Sequence, residues 1–400
     1  MKSGWETKQL CDIAQVKGGK RVPKGYKLQN EPTDHPYLTV SDFGEDGTID
    51  LSNLRYINDK VFSEIAQYTI SSEDLYLSIA GTIGKTGSVP VELSGANLTE
   101  NACKLVFNPG VCKEFVYYFT QSADFMRQAG LNTRVAAQPK LALERLKTIT
   151  LPVPCAQEQK RIVGILDEAF EGIEKARGNA QKNLQNVRDL FESHLEAVFQ
   201  QRSQEPVVPI ADVAEVFDGP HATPKTVDSG PVFLGIGALQ DGTVNLEETR
   251  HVTLHDYRKW TRRVRPQPND VVFSYETRLG QAAIIPEGLE CCLGRRMGLV
   301  RLDQRRVDPR FFMYQYISPP FRRFLVGRTV RGATVDRISI REFPTFPVAI
   351  PPLAEQKRVA NLFETLRGQT ERLGSIYQQK LAALEELKKS LLHQAFIGAL

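Results

Sequence analysis

The sequence has few cysteines, no long apolar run, little net charge and no complete cofactor loop, and each shortage excludes a class of protein. Its six cysteines (Cys11, Cys103, Cys112, Cys155, Cys291, Cys292) form no CxxC pair in 400 residues. This excludes a disulfide framework or a zinc ribbon and fits reduced thiols in the cytoplasm. No stretch approaches the roughly 20 apolar residues that cross a bilayer. The polar opening MKSGWETKQL has no signal-peptide pattern, so a cytoplasmic, membrane-free protein is expected. A net charge of +4 does not by itself mark a nucleic-acid binder. With 41% apolar and 24% charged residues, the chain can bury a sizeable core and is not expected to be disordered. Its length implies two or three domains.

Several fragments imitate catalytic motifs and fail on chemistry. Gly81-Thr82-Ile83-Gly84-Lys85-Thr86 ends like a Walker A loop, but the required first glycine falls at Ile79. Ser318-Pro319-Pro320-Phe321 resembles the Asn-Pro-Pro-aromatic motif of adenine methyltransferases, yet Ser stands where Asn would bind the target amine, and no GxGxxG-like loop precedes it. His251 and His255 lack the intervening Glu of a zinc helix. Glu158-Gln159-Lys160 and Glu355-Gln356-Lys357 contain a nuclease-like ExK but open helices in two repeats. No catalytic residue and no metal site are expected.

Charge is unevenly distributed. Residues 1–155 hold 17 basic and 17 acidic side chains, and residues 206–350 hold 20 and 16. In the latter block 18 of the 20 cations are Arg, whereas the former uses 12 Lys and 5 Arg. Arg presents a planar fork suited to phosphates and guanine edges.

The chain also repeats itself. Pro154-Cys155-Ala156-Gln157-Glu158-Gln159-Lys160-Arg161 matches Pro351-Pro352-Leu353-Ala354-Glu355-Gln356-Lys357-Arg358 at an offset of 197 residues. The register continues without a gap through Leu184/Leu381, Leu190/Leu387, Leu195/Leu392 and Phe199/Phe396. A proline before the first turn and a Glu within it mark helix starts. Heptad-spaced residues predict long helices packed as a coiled coil. One seam runs through Leu166, Ala169, Ile173, Ala176, Ala180, Asn183, Val187 and Leu190, and the other through Phe363, Leu366, Thr370, Leu373, Tyr377, Lys380, Leu384, Leu387 and Leu391. Leu190 and Leu387 are therefore expected to pack. From Ala156 to Phe199 such a helix spans roughly 66 Å, about two turns of DNA.

Between the helices the repeat is fainter. Asp74 to Gly84 (DLYLSIAGTIG) aligns with Asp270 to Gly280 (DVVFSYETRLG), and Phe115 and Tyr118 with Phe311 and Tyr314. Short strands, turn signals and a late helix predict an α+β fold in each domain. The expected division is 1–153, 154–204, 205–350 and 351–400: domain, helix, domain, helix, with an internal pseudo-two-fold repeat.

The two helix starts, the segments Ser78–Gly84 and Ser274–Gly280, and Cys292-Leu293-Gly294-Arg295-Arg296-Met297 together resemble the specificity subunits of type I restriction-modification systems. The resemblance covers the whole chain in order. It implies two target recognition domains, each reading one half of a bipartite site in double-stranded DNA, held apart by the two helices, which would pair as an antiparallel coiled coil. It implies a subunit with no chemistry and no cofactor of its own. Its partners would be two modification subunits, which methylate adenine with S-adenosylmethionine, and two ATP- and Mg-dependent restriction subunits. A standalone DNA-modifying enzyme or a coiled-coil protein scaffold would be the alternatives.

Candidate DNA-contacting residues follow from loop chemistry. In the first domain these are Lys17, Lys20, Arg21 and Lys24 on a glycine-rich basic loop, Thr82, Lys85 and Thr86 on a turn, and Thr99, Asn101, Arg134 and Gln138. In the second they are Tyr275, Thr277, Arg278, Arg295, Arg296, Arg328, Arg331 and Arg337. The shift toward Arg predicts a second half-site richer in G·C pairs, since Arg prefers guanine O6 and N7.

Overall fold

The computed structural model describes residues 4–130, 141–202, 205–220, 222–330 and 335–400. It has two compact units, Met1–Ala180 with Gln379–Leu400, and Gln181–Gln378. Two long helices, Ala156–Gln201 of 46 residues and Leu353–Ile397 of 45, each contribute one portion to either unit. The units therefore do not end where the helices begin.

In the first unit a four-stranded antiparallel sheet runs in the order Ala14–Gly18, Ala102–Phe107, Leu75–Ser78, Thr86–Ser88. A three-stranded sheet places Pro36–Leu38 between Arg55–Tyr56, which is antiparallel, and Asn97–Leu98, which is parallel. Glu6–Gln9 closes on Thr150–Val153. All four residues of Leu75–Ser78 are buried, which is why this strand reads as a nearly unbroken apolar run.

The second unit repeats this plan and adds a short hairpin, Leu239–Gln240 with Thr243–Val244. Ala214–Asp218, Met297–Leu302, Val271–Ser274 and Ala282–Ile284 form the larger sheet. Val227–Leu234 lies between Arg250–His251 and a parallel Cys291–Leu293, and Val207–Pro209 closes on Pro347–Ala349. An ion pair is repeated too. Lys104 reaches Asp74 at 3.1 Å, and Arg301 reaches Asp270 at 2.7 Å, each across neighbouring strands. The fold is α+β throughout, as expected.

The shared Glu-Gln-Lys-Arg helix start has a structural purpose. Gln159 and Gln356 are buried. Gln159 Nε2 donates to the Pro154 carbonyl at 2.9 Å, and its Oε1 accepts the Cys112 amide at 2.9 Å. Gln356 Nε2 donates to the Pro351 and Arg306 carbonyls at 2.7 and 2.9 Å, and its Oε1 accepts the Asp308 amide at 2.9 Å. Cys112 and Asp308 are the N-caps of the late helices Lys113–Thr120 and Pro309–Ile317. Each Gln thus ties its long helix to a domain helix. A Tyr repeats the clamp about two turns further along each long helix, Tyr118 to Asp167 and Tyr314 to Glu364.

Within each unit the two helix portions run antiparallel. In the first, Arg161 donates to the Leu400 carbonyl at 2.7 Å, Lys388 lies 3.7 Å from Glu174, and Arg177 lies 3.8 Å from Glu385. In the second, Phe199 stacks on Phe363 at 5.9 Å, and Leu184 approaches Gly374. The far end of each helix also enters a domain core. Phe396 packs edge-on against Phe115 and Phe119 at 5.2 and 5.3 Å, and Phe199 packs on Phe311 at 5.6 Å. Burying one such ring contributes about 1.5–3 kcal/mol.

The expected seams need correction. Leu190, Leu373 and Leu387 are 44%, 41% and 46% exposed, and Lys380 is exposed as well. Leu166, Ile173, Ala180, Phe363 and Thr370 are buried as the seams require, but toward the helix ends the inward row passes through Phe191, Leu195 and Phe199 on one helix and through Leu392 and Phe396 on the other. A straight helix drifts about 20° per heptad, and near their ends these helices follow domain cores rather than one partner helix.

Candidate nucleic-acid interface

In both units the predicted residues gather at one end of the larger sheet. In the first unit this end is built by the loop after Ala14–Gly18, the turn after Leu75–Ser78 and the segment before Ala102–Phe107. Gly19 is pressed against that segment, where a Cβ would lie 2.0 Å from the Thr99 carbonyl oxygen, so only glycine fits. The Lys20 amide donates to the Leu98 carbonyl at 2.8 Å, and the Ile79 and Ala80 amides donate to the Asn101 carbonyl at 2.8 and 3.1 Å. Lys17, Lys20, Arg21 and Lys24 are exposed along this edge, beside exposed Thr82 and half-buried Asn101. Lys20 lies 5.7 Å from the Tyr68 ring centroid. Arg21 pairs with Glu100. Partial burial pushes the Glu100 carboxyl up, but hydrogen bonds, chiefly from Arg21, outweigh it and hold the group below its ordinary value.

Three predicted residues serve the fold instead. Thr86 and Thr99 are buried, with hydroxyls donating to the Gly84 carbonyl and to Glu100. Lys85 donates to the Phe43 carbonyl at 2.7 Å and pairs with Glu45 at 2.9 Å. The turn's likeness to a phosphate loop therefore ends with its lysine committed elsewhere. Arg134, Gln138 and Arg331 lie outside the described residues.

In the second unit the same end is a cleft of about 630 Å³ lined by Tyr275, Glu276, Arg295, Arg296, Arg337 and Arg341. Main-chain bonds weave it together. The Tyr275 amide donates to the Arg296 carbonyl at 3.2 Å, the Ile338 amide to the Tyr275 carbonyl at 3.0 Å, and the Thr277 amide to the Asp336 carbonyl at 2.8 Å. Thr277 and Arg296 hold left-handed φ values of 71° and 78°, a conformation costly for non-glycine residues and especially for a β-branched one. The first unit has Gly81 at the position of Thr277, with φ 77°. Tyr275 is buried, and burial, with the nearby Asp218 charge, pushes its phenol up.

Arg295, Arg328 and Arg337 are exposed, with Arg328 stacked 5.3 Å from the Phe324 ring. Arg278 instead donates to the Ile236 and Gly237 carbonyls, both at 3.0 Å. Other arginines of the block are structural as well. Arg310 pairs with Asp308, Arg322 with Glu192, and Arg323 with Glu196. The arginine excess therefore does not by itself support a G·C-richer half-site.

One basic segment escaped the sequence reading. Arg258-Lys259-Trp260-Thr261-Arg262-Arg263-Val264-Arg265 has five cations in eight residues, and its density was the available signal. Arg263 pairs with Asp218 at 2.6 Å, at the end of the Ala214–Asp218 strand, so this run borders the cleft. Arg258, Lys259 and Arg262 are exposed.

The catalytic look-alikes have structural explanations. Ser318 is buried, donates to the Gln315 carbonyl at 2.6 Å and caps the helix Pro319–Val326. His251 Nδ1 lies 2.8 Å from the Gly230 carbonyl oxygen. Among the described residues no cluster of three or more His, Cys, Asp or Glu could hold a metal, and no helix is long and apolar enough to cross a membrane.

Residues 2–182 match the family model of the type I restriction modification DNA specificity domain. The chain is 22% identical to the MjaX type I restriction enzyme specificity subunit assigned in Methanocaldococcus jannaschii, over 98% of this chain and 93% of that one. It is 26% identical to the EcoBI specificity subunit of Escherichia coli over 38% of this chain and 32% of that one. Its fold matches a chain from a structural study of type I R-M complex assembly and conformational transition, with TM-score 0.77 and 18% identity, covering 100% of this chain and 99% of that one. The HsdS subunit from Thermoanaerobacter tengcongensis matches with TM-score 0.58 and 18% identity, covering 100% and 98%. A doubled α+β plan and long helices shared between two units accompany these likenesses, and the chain is similar along its length to specificity subunits of type I restriction-modification systems.

Proposed function

We propose that each unit reads one half of a split, asymmetric double-stranded DNA target through the loop-bearing end of its larger sheet. One observation carries this reading. The same sheet end is basic in both units, but its side chains differ: a Lys-rich loop in one, an Arg-lined cleft with a buried Tyr in the other. One backbone plan bearing two unlike surfaces fits two unlike half-sites. Exposed Lys17, Lys20, Arg21 and Lys24 suit phosphates, while Thr82, Asn101, Arg295, Arg296 and Arg337 suit base edges. Thr277 and Arg328 flank those groups, and Tyr275 shapes the cleft floor.

The subunit would deliver this reading to partners in the cytoplasm. Two modification subunits would use S-adenosylmethionine, and two restriction subunits would use ATP and Mg. Exposed apolar residues along the helices, Leu190, Leu362, Leu373 and Leu387, favour protein contacts there. Co-expression with the modification subunits and genome-wide mapping of adenine methylation tests the proposal. A split asymmetric motif is expected. A palindrome, an unbroken motif, or methylation by the purified chain alone would refute it.

A further inference from the structure

Within the Arg-lined cleft stands a carboxylate. Glu276 faces a surface otherwise bearing Arg295, Arg296, Arg337 and Arg341. A bare carboxylate opposed to phosphates would be repelled, so its place in a DNA-binding cleft calls for hydrogen-bond donors. Arg296 supplies a cation, with its Nε 2.9 Å from Glu276 Oε1 in an ion pair. A carboxylate can accept bonds beyond that contact.

Both partners are held in place. The Ser274 hydroxyl donates to the Glu276 carbonyl at 2.7 Å, and Glu276 forms a β-bridge with Arg337. The Arg296 carbonyl accepts the Tyr275 amide. The two left-handed non-glycine residues of this cleft are Arg296 itself and Thr277, the neighbour of Glu276. Strain of this kind persists only where the surroundings fix the conformation, and it aims a side chain that a relaxed backbone would not aim. The pair is two-thirds or more shielded, with side chains 33% and 16% exposed, so its orientation costs little further ordering on binding.

We infer that Glu276 and Arg296 act as one specificity-determining unit that reads a C·G base pair in the major groove of the half-site bound by the second unit. An Arg fork donates to guanine O6 and N7, a Glu accepts from cytosine N4, and these groups lie side by side on the edge of one pair. The linked donor and acceptor match that edge together, whereas a T·A pair would set the thymine O4 acceptor against the carboxylate and the adenine N6 donor against the fork. This inference rests on the DNA-reading role proposed above. The equivalent edge in the first unit has Asn101 at the position of Arg296 and Ala80 at that of Glu276, so the device belongs to one half-site only.

The test is selection of bound duplexes from a randomised library by the full-length chain in its complex with modification subunits, comparing wild type with Glu276→Gln and Arg296→Lys. Wild type should require C·G at one position of one half-site. Glu276→Gln, which keeps shape and adds a donor, should lower that preference roughly tenfold or more and leave the other positions unchanged. Arg296→Lys should relax the same position. An E276Q motif identical to wild type, or changes spread over both halves, would overturn the inference while leaving the DNA-reading role intact. Absence of any sequence preference in the wild-type complex would overturn the role itself. Thermal melts matching wild type would establish that both variants fold.

Discussion

Replacing Gln356 with Leu removes three hydrogen bonds from a site that is 0% exposed. The side chain holds the Pro351 and Arg306 carbonyls and the Asp308 amide. Leu has similar bulk, so the loss is polar rather than a cavity. The stranded Asp308 amide costs about 1–3 kcal/mol. The two carbonyls add less each, because a carbonyl tolerates partial satisfaction better than an amide does. The expected destabilisation is about 3–5 kcal/mol, concentrated in the second unit. Gln159→Leu strands only the Cys112 amide and the Pro154 carbonyl, so about 2–4 kcal/mol is expected in the first unit. Lys357→Leu changes an exposed neighbour in the same motif and should stay within about 0.5 kcal/mol. Urea titration gives the magnitudes, and amide hydrogen exchange at Asp308 and Cys112 assigns each loss to its unit. A Gln356→Leu protein within about 0.5 kcal/mol of wild type, or unchanged Asp308 protection, would refute the reasoning.

Other expectations concern the helices, acid and thiols. Leu195 is 2% exposed and Leu190 is 44% exposed, so Leu195→Ala should cost about 2–5 kcal/mol and Leu190→Ala under about 1 by urea titration; equal losses would restore the simple heptad seam. Hydrogen bonds from Arg358 and Arg202 lower the Glu355 carboxyl from 4.5 to about 2. Because the folded value lies below the unfolded one, its stabilisation is present above pH 4.5 and fades as pH falls toward about 2. Urea midpoints should therefore drop less steeply on acidification for Glu355→Gln than for wild type, and parallel profiles would contradict this. Burial raises the Cys103, Cys291 and Cys292 thiols to about 12, whereas Cys11 and Cys155 are exposed. A thiol reagent at pH 8 should modify the latter pair in the native protein and spare the former three, as read by mass spectrometry of peptides.

The helix repeat was legible because it is written in residues whose contacts tolerate no substitute. The Gln of each Glu-Gln-Lys-Arg start fits one amide and at least one carbonyl, so it survives in both copies. The domains look dissimilar in sequence because a sheet specifies burial and register more than identity. Leu77 and Phe273 occupy equivalent strand positions, and Lys104 and Arg301 make equivalent ion pairs. The candidate site was legible as loops and turns, since Gly19 and the Gly81 turn mark places where the backbone must bend or approach closely. Which cations are free to meet DNA was not legible. Arg278 and Arg295 look alike in sequence, yet one is spent on two carbonyls and the other is exposed. The seam failed at Leu190, Leu373 and Leu387 for a related reason: periodicity reports an apolar stripe but not whether a helix or a domain core faces it.

The placement of Phe396 has a consequence for synthesis. It completes the aromatic cluster around Phe115 and Phe119, so the first unit is finished by a segment made only after the whole of the second unit. At 5–20 residues per second, the interval between residues 180 and 396 lasts roughly ten to forty seconds. Throughout it the nascent first unit has an uncovered aromatic face, the kind of transiently exposed apolar surface that promotes aggregation. Translation pauses late in the message should therefore lower yield through aggregation of the first unit, even though every residue of its sheets has long since emerged.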